Sequence, residues 1–242
     1  MRSAVLMDYD PSKEAYIMNS RFAFLTISLI SLILLSFSPG FAGTVYWTDW
    51  TSLTTASPGV IGTLDTDSGP VAVNFSGSYA FAQVSGGVNY WNLNAPYLSS
   101  VVDNAPPASD IIALSTGGTV TISFSESVLD PLLALVSWNG NVVDFNVPID
   151  ILSFGTGAYG TGTPVLNTDG DGFTGIGEVH GVIRLPGTYD SITFSHTSET
   201  WHGFTVGVPG AGAPPQTVPE PGTILLLGLG VLAMAGVRRK LG

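Results

Sequence analysis

The chain has 242 residues, a formal net charge of −11 and no cysteine, which excludes disulfide bridges, thiol nucleophiles and thiolate metal sites. The charge is unevenly placed, because residues 43–217 hold 14 acidic residues against one basic residue, Arg184. Such a surface repels the phosphates of nucleic acid, so nucleic acid is excluded as a partner. The same surface attracts cations, Ca²⁺ above all.

The N-terminal segment predicts a signal peptide. An apolar run at 22–37 follows Arg21, and a small-x-small pattern ends at Ala42. A positive start, a short apolar core and a cleavage site are the three parts of a secretory signal, so we assign region 1–42 to a signal helix that is cleaved after Ala42. Acidic residues within 1–17 weaken the positive start. We therefore predict that translation begins at Met18.

Residues 43–207 predict one all-β domain. Short runs of β-branched and aromatic residues alternate with segments rich in Gly, Pro, Asp and Thr, which is typical of an antiparallel β-sandwich of the jelly-roll or immunoglobulin-like kind. Asn139-Gly140 predicts a tight hairpin, because both central residues tolerate positive φ. Loops are predicted at 52–70, 92–110 and 155–177. Strands are predicted at 71–75, 79–84, 119–124, 132–138, 142–147, 149–154, 179–185, 191–196 and 203–208.

One segment of the body has the spacing of a calcium loop. The pattern D-x-[DN]-x-[DN]-G-x5-E, with Asn at its first position, assigns the metal to Asn167, Asp169, Asp171 and Glu178. Alternate oxygens can curl around a hard cation while glycine permits the bend, and Glu can close the shell. The segment is not flanked by predicted helices, and Asp-Gly-Asp-Gly is equally typical of a solvated turn. Both alternatives stay open, and no other cofactor is predicted.

Aromatic residues offer a second candidate site. Planar rings match the apolar faces of sugars, so aromatic side chains predict a carbohydrate platform, with core packing as the alternative. The candidates are Trp47, Trp50, Tyr90 and Trp91, together with Trp201.

Catalytic and metal signatures are weak. The three histidines, His180, His196 and His202, fall on or beside predicted strands and could meet at a Zn²⁺ ion. No nucleophile elbow stands out, and no acid pair is distinguishable from scattered surface acids. We therefore expect no enzyme, with a secreted polysaccharide hydrolase as an alternative.

The C-terminal segment has three unlike features in order. Residues 208–218 are rich in Pro, Gly and Ala and predict a linker. A Pro-Glu-Pro turn and an apolar stretch at 223–237 follow, which predicts a short transmembrane helix. The basic residues behind it would keep the C-terminus cytoplasmic. The residues of this sorting segment are Pro219, Glu220, Pro221, Arg238, Arg239 and Lys240, within 219–242.

This segment resembles the PEP-CTERM sorting signal of Gram-negative bacteria. The resemblance implies recognition at the inner membrane by an exosortase, an integral-membrane, cysteine-dependent processing enzyme. It further implies a membrane-anchored precursor that is exported to the cell surface or the exopolysaccharide matrix of a biofilm. The expected role is structural or adhesive, and a carbohydrate-binding module of the matrix is the alternative. An ordinary C-terminal membrane anchor is the other interpretation of the tail.

Overall fold

The structure is a computed structural model that describes residues 43–54 and 59–210. The predicted signal helix, the linker from residue 211 onward and the sorting segment with its helix at 223–237 lie outside the described residues. Over the part of the chain that is described, no helix combines the length and the hydropathy needed to cross a bilayer.

The described residues form fifteen strands and one 3₁₀ turn, Ala95–Tyr97. The first eight strands are β1 (Val45–Trp47), β2 (Asp49–Thr54), β3 (Gly59–Thr66), β4 (Gly69–Ser76), β5 (Phe81–Gln83), β6 (Ile111–Leu114), β7 (Gly118–Leu129) and β8 (Leu132–Trp138). The other seven are β9 (Val142–Asp144), β10 (Asp150–Phe154), β11 (Gly162–Leu166), β12 (Gly172–Gly177), β13 (Val179–Arg184), β14 (Thr188–His196) and β15 (His202–Pro209).

The strands pair into two antiparallel sheets. The first has the order β10-β13-β8-β15-β6-β5, with β1 also paired to β15, and the second has the order β11-β12-β9-β14-β7-β4-β3-β2. One hydrophobic cluster contains residues of both sheets, among them Leu135 and Phe204 of the first and Ile122 and Phe194 of the second. The all-β, antiparallel prediction is confirmed, and the arrangement is compatible with a sandwich.

The first sheet is covered on both faces. All seven residues of β8 are buried. Leu133 and Leu135 belong to the cluster shared by the two sheets, whereas the alternate residue Ala134 belongs to a second cluster with Trp91 and Tyr97. Because side chains alternate across a strand, the continuous apolar run of β8 fills two cores at once. The segment 84–110 therefore forms a cover over the outer face of this sheet.

The turn at Asn139-Gly140 differs from the predicted hairpin. Gly140 has the expected positive φ of 74°, and the second positive φ, 59°, belongs to Ser137 rather than Asn139. The strands on either side, β8 and β9, lie in different sheets and do not pair with each other. The turn is therefore a crossover between sheets, because both flanking strands have partners that come from distant parts of the chain.

Several strands form where loops were predicted. All of β3 lies within 52–70, and β11 and β12 lie within 155–177. Pro164 made β11 unlike a strand in sequence, but β11 is the last strand of its sheet, and an edge position tolerates proline. The body also extends past residue 207, since β15 ends at Pro209 and Gly210 N–H donates to Thr44 O at 2.8 Å.

Candidate functional site

The two ends of the described body meet at one place. β1 pairs with β15, so that Val45 lies opposite Pro209. The Gly210 N–H donates to Thr44 O at 2.8 Å, which holds the last described residue beside the start of the domain. A segment that precedes residue 43 and a segment that follows residue 210 therefore leave the domain at the same edge.

The predicted calcium loop is the turn between β11 and β12. Asn167 closes this turn with both ends of its amide: Oδ1 accepts from Asp171 N–H at 3.1 Å, and Nδ2 donates to Asp171 Oδ1 at 2.6 Å. Gly170 supplies the required positive φ of 75°. Asn167 Oδ1 and Asp171 Oδ1 are thus hydrogen-bonded within the turn itself.

Glu178 is separated from that turn by the whole of β12. A strand rises roughly 3.3 Å per residue, so the six residues Gly172–Gly177 place Glu178 about 17 Å or more from Asp171. Its carboxylate accepts from Ser137 Oγ at 2.5 Å and from Asn139 Nδ2 at 2.9 Å instead. The predicted set of four ligands is therefore wrong in its last member. The linear spacing fits a loop that curls, whereas an extended strand follows Gly172.

Three of the five predicted sugar-stacking residues are core residues. Trp50 and Trp91 are fully buried or nearly so, and Trp47 is buried as well. Each indole N–H has an internal acceptor: Trp50 donates to Thr205 Oγ1 at 3.0 Å, Trp91 to Asp110 O at 3.1 Å and Trp47 to Asn104 O at 3.1 Å. A buried ring cannot stack on an external sugar, so the platform as predicted is wrong for these three tryptophans.

The other two candidates, Tyr90 and Trp201, belong to a different group of rings. We call this group the surface aromatic cluster, and it consists of Phe81, Tyr90, Tyr159 and Trp201. Tyr159 is 42% exposed, and the other three rings are partly buried. Tyr159 lies edge-on to Trp201, with ring centroids 5.0 Å apart, and parallel to Tyr90, with centroids 6.3 Å apart. Phe81 contacts both Tyr90 and Trp201.

A carboxylate network adjoins this cluster. We use that name for Ser137, Asn139, Glu178 and Glu199. Asn139 joins the two acids, because its Nδ2 donates to Glu178 and its backbone N–H donates to Glu199 Oε2 at 3.2 Å. Burial, and to a smaller extent the charge of Glu178, raise the pKa of Glu199 to about 7, against the opposing effect of the Asn139 N–H. Glu199 is therefore protonated in a large share of molecules at neutral pH.

Two of the three histidines form a buried pair. Asn141 Nδ2 donates to Thr197 O at 3.0 Å and to His202 Nδ1 at 3.3 Å, so Nδ1 is an acceptor and the proton of His202 lies on Nε2. That Nε2–H donates to His196 Nδ1 at 3.0 Å. Burial and the neighbouring His196 lower the pKa of His202 to about 3, and burial lowers the pKa of His196. The pair is neutral.

His180 has a separate environment. Its Nδ1 lies 3.2 Å from the hydroxyl of buried Tyr97, and its ring stacks parallel to Tyr159 at 6.2 Å. Burial lowers its pKa to about 4. Among the described residues no group of three or more His, Asp or Glu is placed to hold a metal ion. The structure therefore joins His196 to His202 but places His180 with the aromatic residues.

Sequence reasoning missed Tyr159, Phe81 and the polar groups of Ser137 and Asn139. Tyr159 had one usable signal, since it stands in the glycine-rich segment 155–162, and binding residues are found disproportionately on loops. The contacts of Ser137 and Asn139 with Glu178 span about forty residues and have no local signal.

The comparisons with known proteins concern the end of the chain. No curated protein and no solved structure matches the chain. The family model of the PEP-CTERM protein-sorting motif matches residues 217–240, which include Pro219-Glu220-Pro221 and the basic residues 238–240. The resemblance seen in the sequence is thereby confirmed. A motif of this kind implies a secreted, membrane-anchored precursor that an exosortase processes for export, and this chain carries that PEP-CTERM sorting motif at residues 217–240.

Proposed function

We propose that this chain is a non-enzymatic protein of the cell surface or extracellular matrix, with a structural or adhesive role. In this proposal the body is a β-sandwich of the jelly-roll or immunoglobulin-like kind, carried as cargo by its sorting motif. The match of residues 217–240 to the PEP-CTERM motif carries the proposal. The composition agrees with it, because residues 43–217 have a formal charge of −13, and a strong net charge keeps an exported domain soluble.

The geometry of the body supports sorting in the folded state. Gly210 is held against Thr44, and residues 211–218 lie between it and the Pro-Glu-Pro turn. Eight residues can span at most about 27 Å, which is enough to separate a membrane-embedded recognition site from a small domain. Since both ends of the body leave at one edge, a precursor held at either end presents the same edge to the membrane.

The test is deletion of 219–242 in the native host. We expect the body to appear in the periplasm or the medium instead of at the surface, since the recognition turn, the helix and the basic residues are all lost. A matched control replaces Gln216, in the linker, by Ala and should leave sorting unchanged. Unchanged surface retention of the deletion variant would contradict the proposal, and the mass of the mature native protein would show whether each end is cleaved.

A second candidate function is carbohydrate binding, and one observation favours it. The surface aromatic cluster leaves Tyr159 42% exposed beside Tyr90 and Trp201. By contrast, Glu178 and Glu199 are both engaged by Asn139, so a hydrolytic role for these two acids is not part of our proposal.

A further inference from the structure

We propose that the surface aromatic cluster and the carboxylate network together form one binding site for a neutral glycan. A sugar ring would stack on Tyr159 and its neighbours while its hydroxyl groups donate to Glu178 and Glu199. The proposal rests on the surface role proposed above and specifies the ligand class that an adhesive domain of this kind would hold.

The rings of the cluster are held in place from below. Tyr159 stacks on buried His180 with an interplanar angle of 11°, and His180 contacts the hydroxyl of Tyr97 through Nδ1. Gly157 makes this approach possible, since a Cβ at that position would overlap the His180 ring. The exposed ring is thus supported by a packed column. Binding on such a ring loses little conformational entropy, because tyrosine has few rotatable bonds and this one is already ordered.

The orientation of the rings suits a stacking ligand. Tyr90 and Tyr159 are within 23° of parallel, whereas Trp201 is turned by 88° relative to Tyr159. A pyranose that stacks on one ring can therefore contact the edge or face of a second. The centroid distances of 5.0–6.3 Å show that the rings pack on one another, so the site is a platform rather than a cage.

Polar groups lie directly beside the platform. Gly160 follows Tyr159, and a Cβ on Gly160 would lie 3.1 Å from Glu178 Cγ. Trp201 follows Glu199 by two residues, and Asn139 hydrogen-bonds both glutamates. An apolar surface with a few convergent polar groups is the usual composition of a small-molecule site, and carboxylates are acceptors for sugar hydroxyls.

Charge selects among glycans. The one Lys or Arg in residues 43–210 is Arg184, and its Nη2 lies 2.5 Å from Asp150 Oδ2. It ends β13, whereas Glu178 immediately precedes that strand. Uronic acids and sulfated sugars would meet the carboxylate of Glu178 and no cation near the platform. Their repulsion excludes anionic polymers and leaves uncharged hexoses as the ligand class.

The test is affinity electrophoresis of the full-length chain in detergent. Native gels would contain hydroxyethylcellulose, galactomannan or dextran as neutral polymers, and alginate as the anionic one. We expect retardation by at least one neutral polymer and none by alginate. Tyr159→Ala and Trp201→Ala should each weaken binding roughly 10-fold, since each removes a stacking ring worth about 1.4 kcal/mol. Tyr159→Phe keeps the ring and should bind within about 3-fold of the parent.

The matched control is Phe154→Ala. Phe154 is 50% exposed and, among the described residues, makes no ring contact with the cluster, so its loss should leave retardation unchanged. Circular dichroism of each variant verifies folding, and Tyr159→Ala remains informative if Trp201→Ala unfolds. Three results would each overturn the proposal: no retardation by any neutral polymer, parental binding by folded Tyr159→Ala, or preference for alginate. None of these results changes where the 219–242 deletion is sorted, so the two proposals can fail separately.

Discussion

The body contains two groups of aromatic side chains that differ in how their polar atoms are satisfied. Trp47, Trp50 and Trp91 are buried, and each indole N–H donates to an acceptor inside the protein. Tyr159 is 42% exposed, and Trp201 is partly exposed. The first group joins strands and loops that are distant in sequence, whereas the second packs on His180 and is partly exposed. Aromatic content alone therefore does not identify a binding site.

The largest effect is expected in the buried group, for Trp50→Ala. Trp50 is fully buried between the sheets, and the substitution removes its ring and the hydrogen bond to Thr205. We expect the free energy of unfolding to fall by roughly 3–5 kcal/mol. Denaturant unfolding followed by circular dichroism measures this change. A loss below about 1 kcal/mol would show that Trp50 is not a core residue.

Acid should lower the free energy of unfolding through His202. The ring centroid of this buried residue lies 4.3 Å from that of Trp138. The pKa of His202 is lowered to about 3 in the fold, so the unfolded chain, with an ordinary pKa near 6.5, binds the proton first. Stability is therefore lost as the pH falls from about 6.5 towards 3. His180 and His196 act in the same direction, and Glu199 opposes them above pH 4.5.

We expect a net loss of roughly 2–4 kcal/mol by pH 3 to 4, measured as the denaturant midpoint at a series of pH values. A stability that is flat or rising over this range would show that the histidines are not buried in their neutral form.

The substitution Glu199→Gln removes the contribution of Glu199 to the pH dependence of stability. The pKa of Glu199 is raised to about 7, so its charged form destabilises the fold above that pH. Glutamine keeps an oxygen as acceptor for the Asn139 N–H and places no charge beside His202, whose Nδ1 lies 3.5 Å from Glu199 Oε2. We expect the variant to be more stable than the parent by roughly 1–3 kcal/mol above pH 7, because the carboxyl side chain is only 16% exposed.

That advantage should disappear below pH 4.5, where Glu199 is protonated in the folded and the unfolded chain alike. Parallel unfolding curves at pH 8 and pH 4 make the comparison. An equal stability difference between variant and parent at pH 8 and at pH 4 would contradict the raised pKa of Glu199.

The smallest effect on stability is expected for Tyr159→Ala in the surface group. The ring of Tyr159 is 42% exposed. Its removal leaves the indole hydrogen bonds of the buried group unchanged. We expect a loss of about 1 kcal/mol or less, the usual range for an exposed substitution. Thermal unfolding beside Trp50→Ala checks this. A loss as large as that of Trp50→Ala would mean that both groups are structural.

Much of the fold could be predicted from local pattern. The alternation in 191–196 places Ile192 and Phe194 in the core and leaves Ser191, Thr193 and Ser195 exposed, as the structure has it. The apolar run of β8 was predicted with its bounds, Leu132–Trp138. The strands β11 and β12 were not, because each contains residues of low strand propensity, Gly or Pro, and pairing makes them strands.

The candidate site was less accessible to sequence reasoning. The calcium pattern placed Glu178 with Asp171, but the chain between them is extended, and Glu178 instead meets Ser137 and Asn139 about forty residues away. Tyr90 and Trp201 were predicted together and are in contact, but the three tryptophans predicted with them are buried, and Tyr159 was not predicted. The rings of Tyr159 and Trp201, which contact that of Tyr90, come from two distant segments.

The sequence by itself determined the sorting motif, the class of fold and the charge of the body, since these depend on composition, periodicity and short linear patterns. Only the tertiary structure decided which aromatic residues face solvent, which acids share Asn139, and that residues 43 and 210 lie at one edge. Each of these depends on which strands pair. Strand pairing joins residues that are far apart along the chain, and that separation gives no local signal.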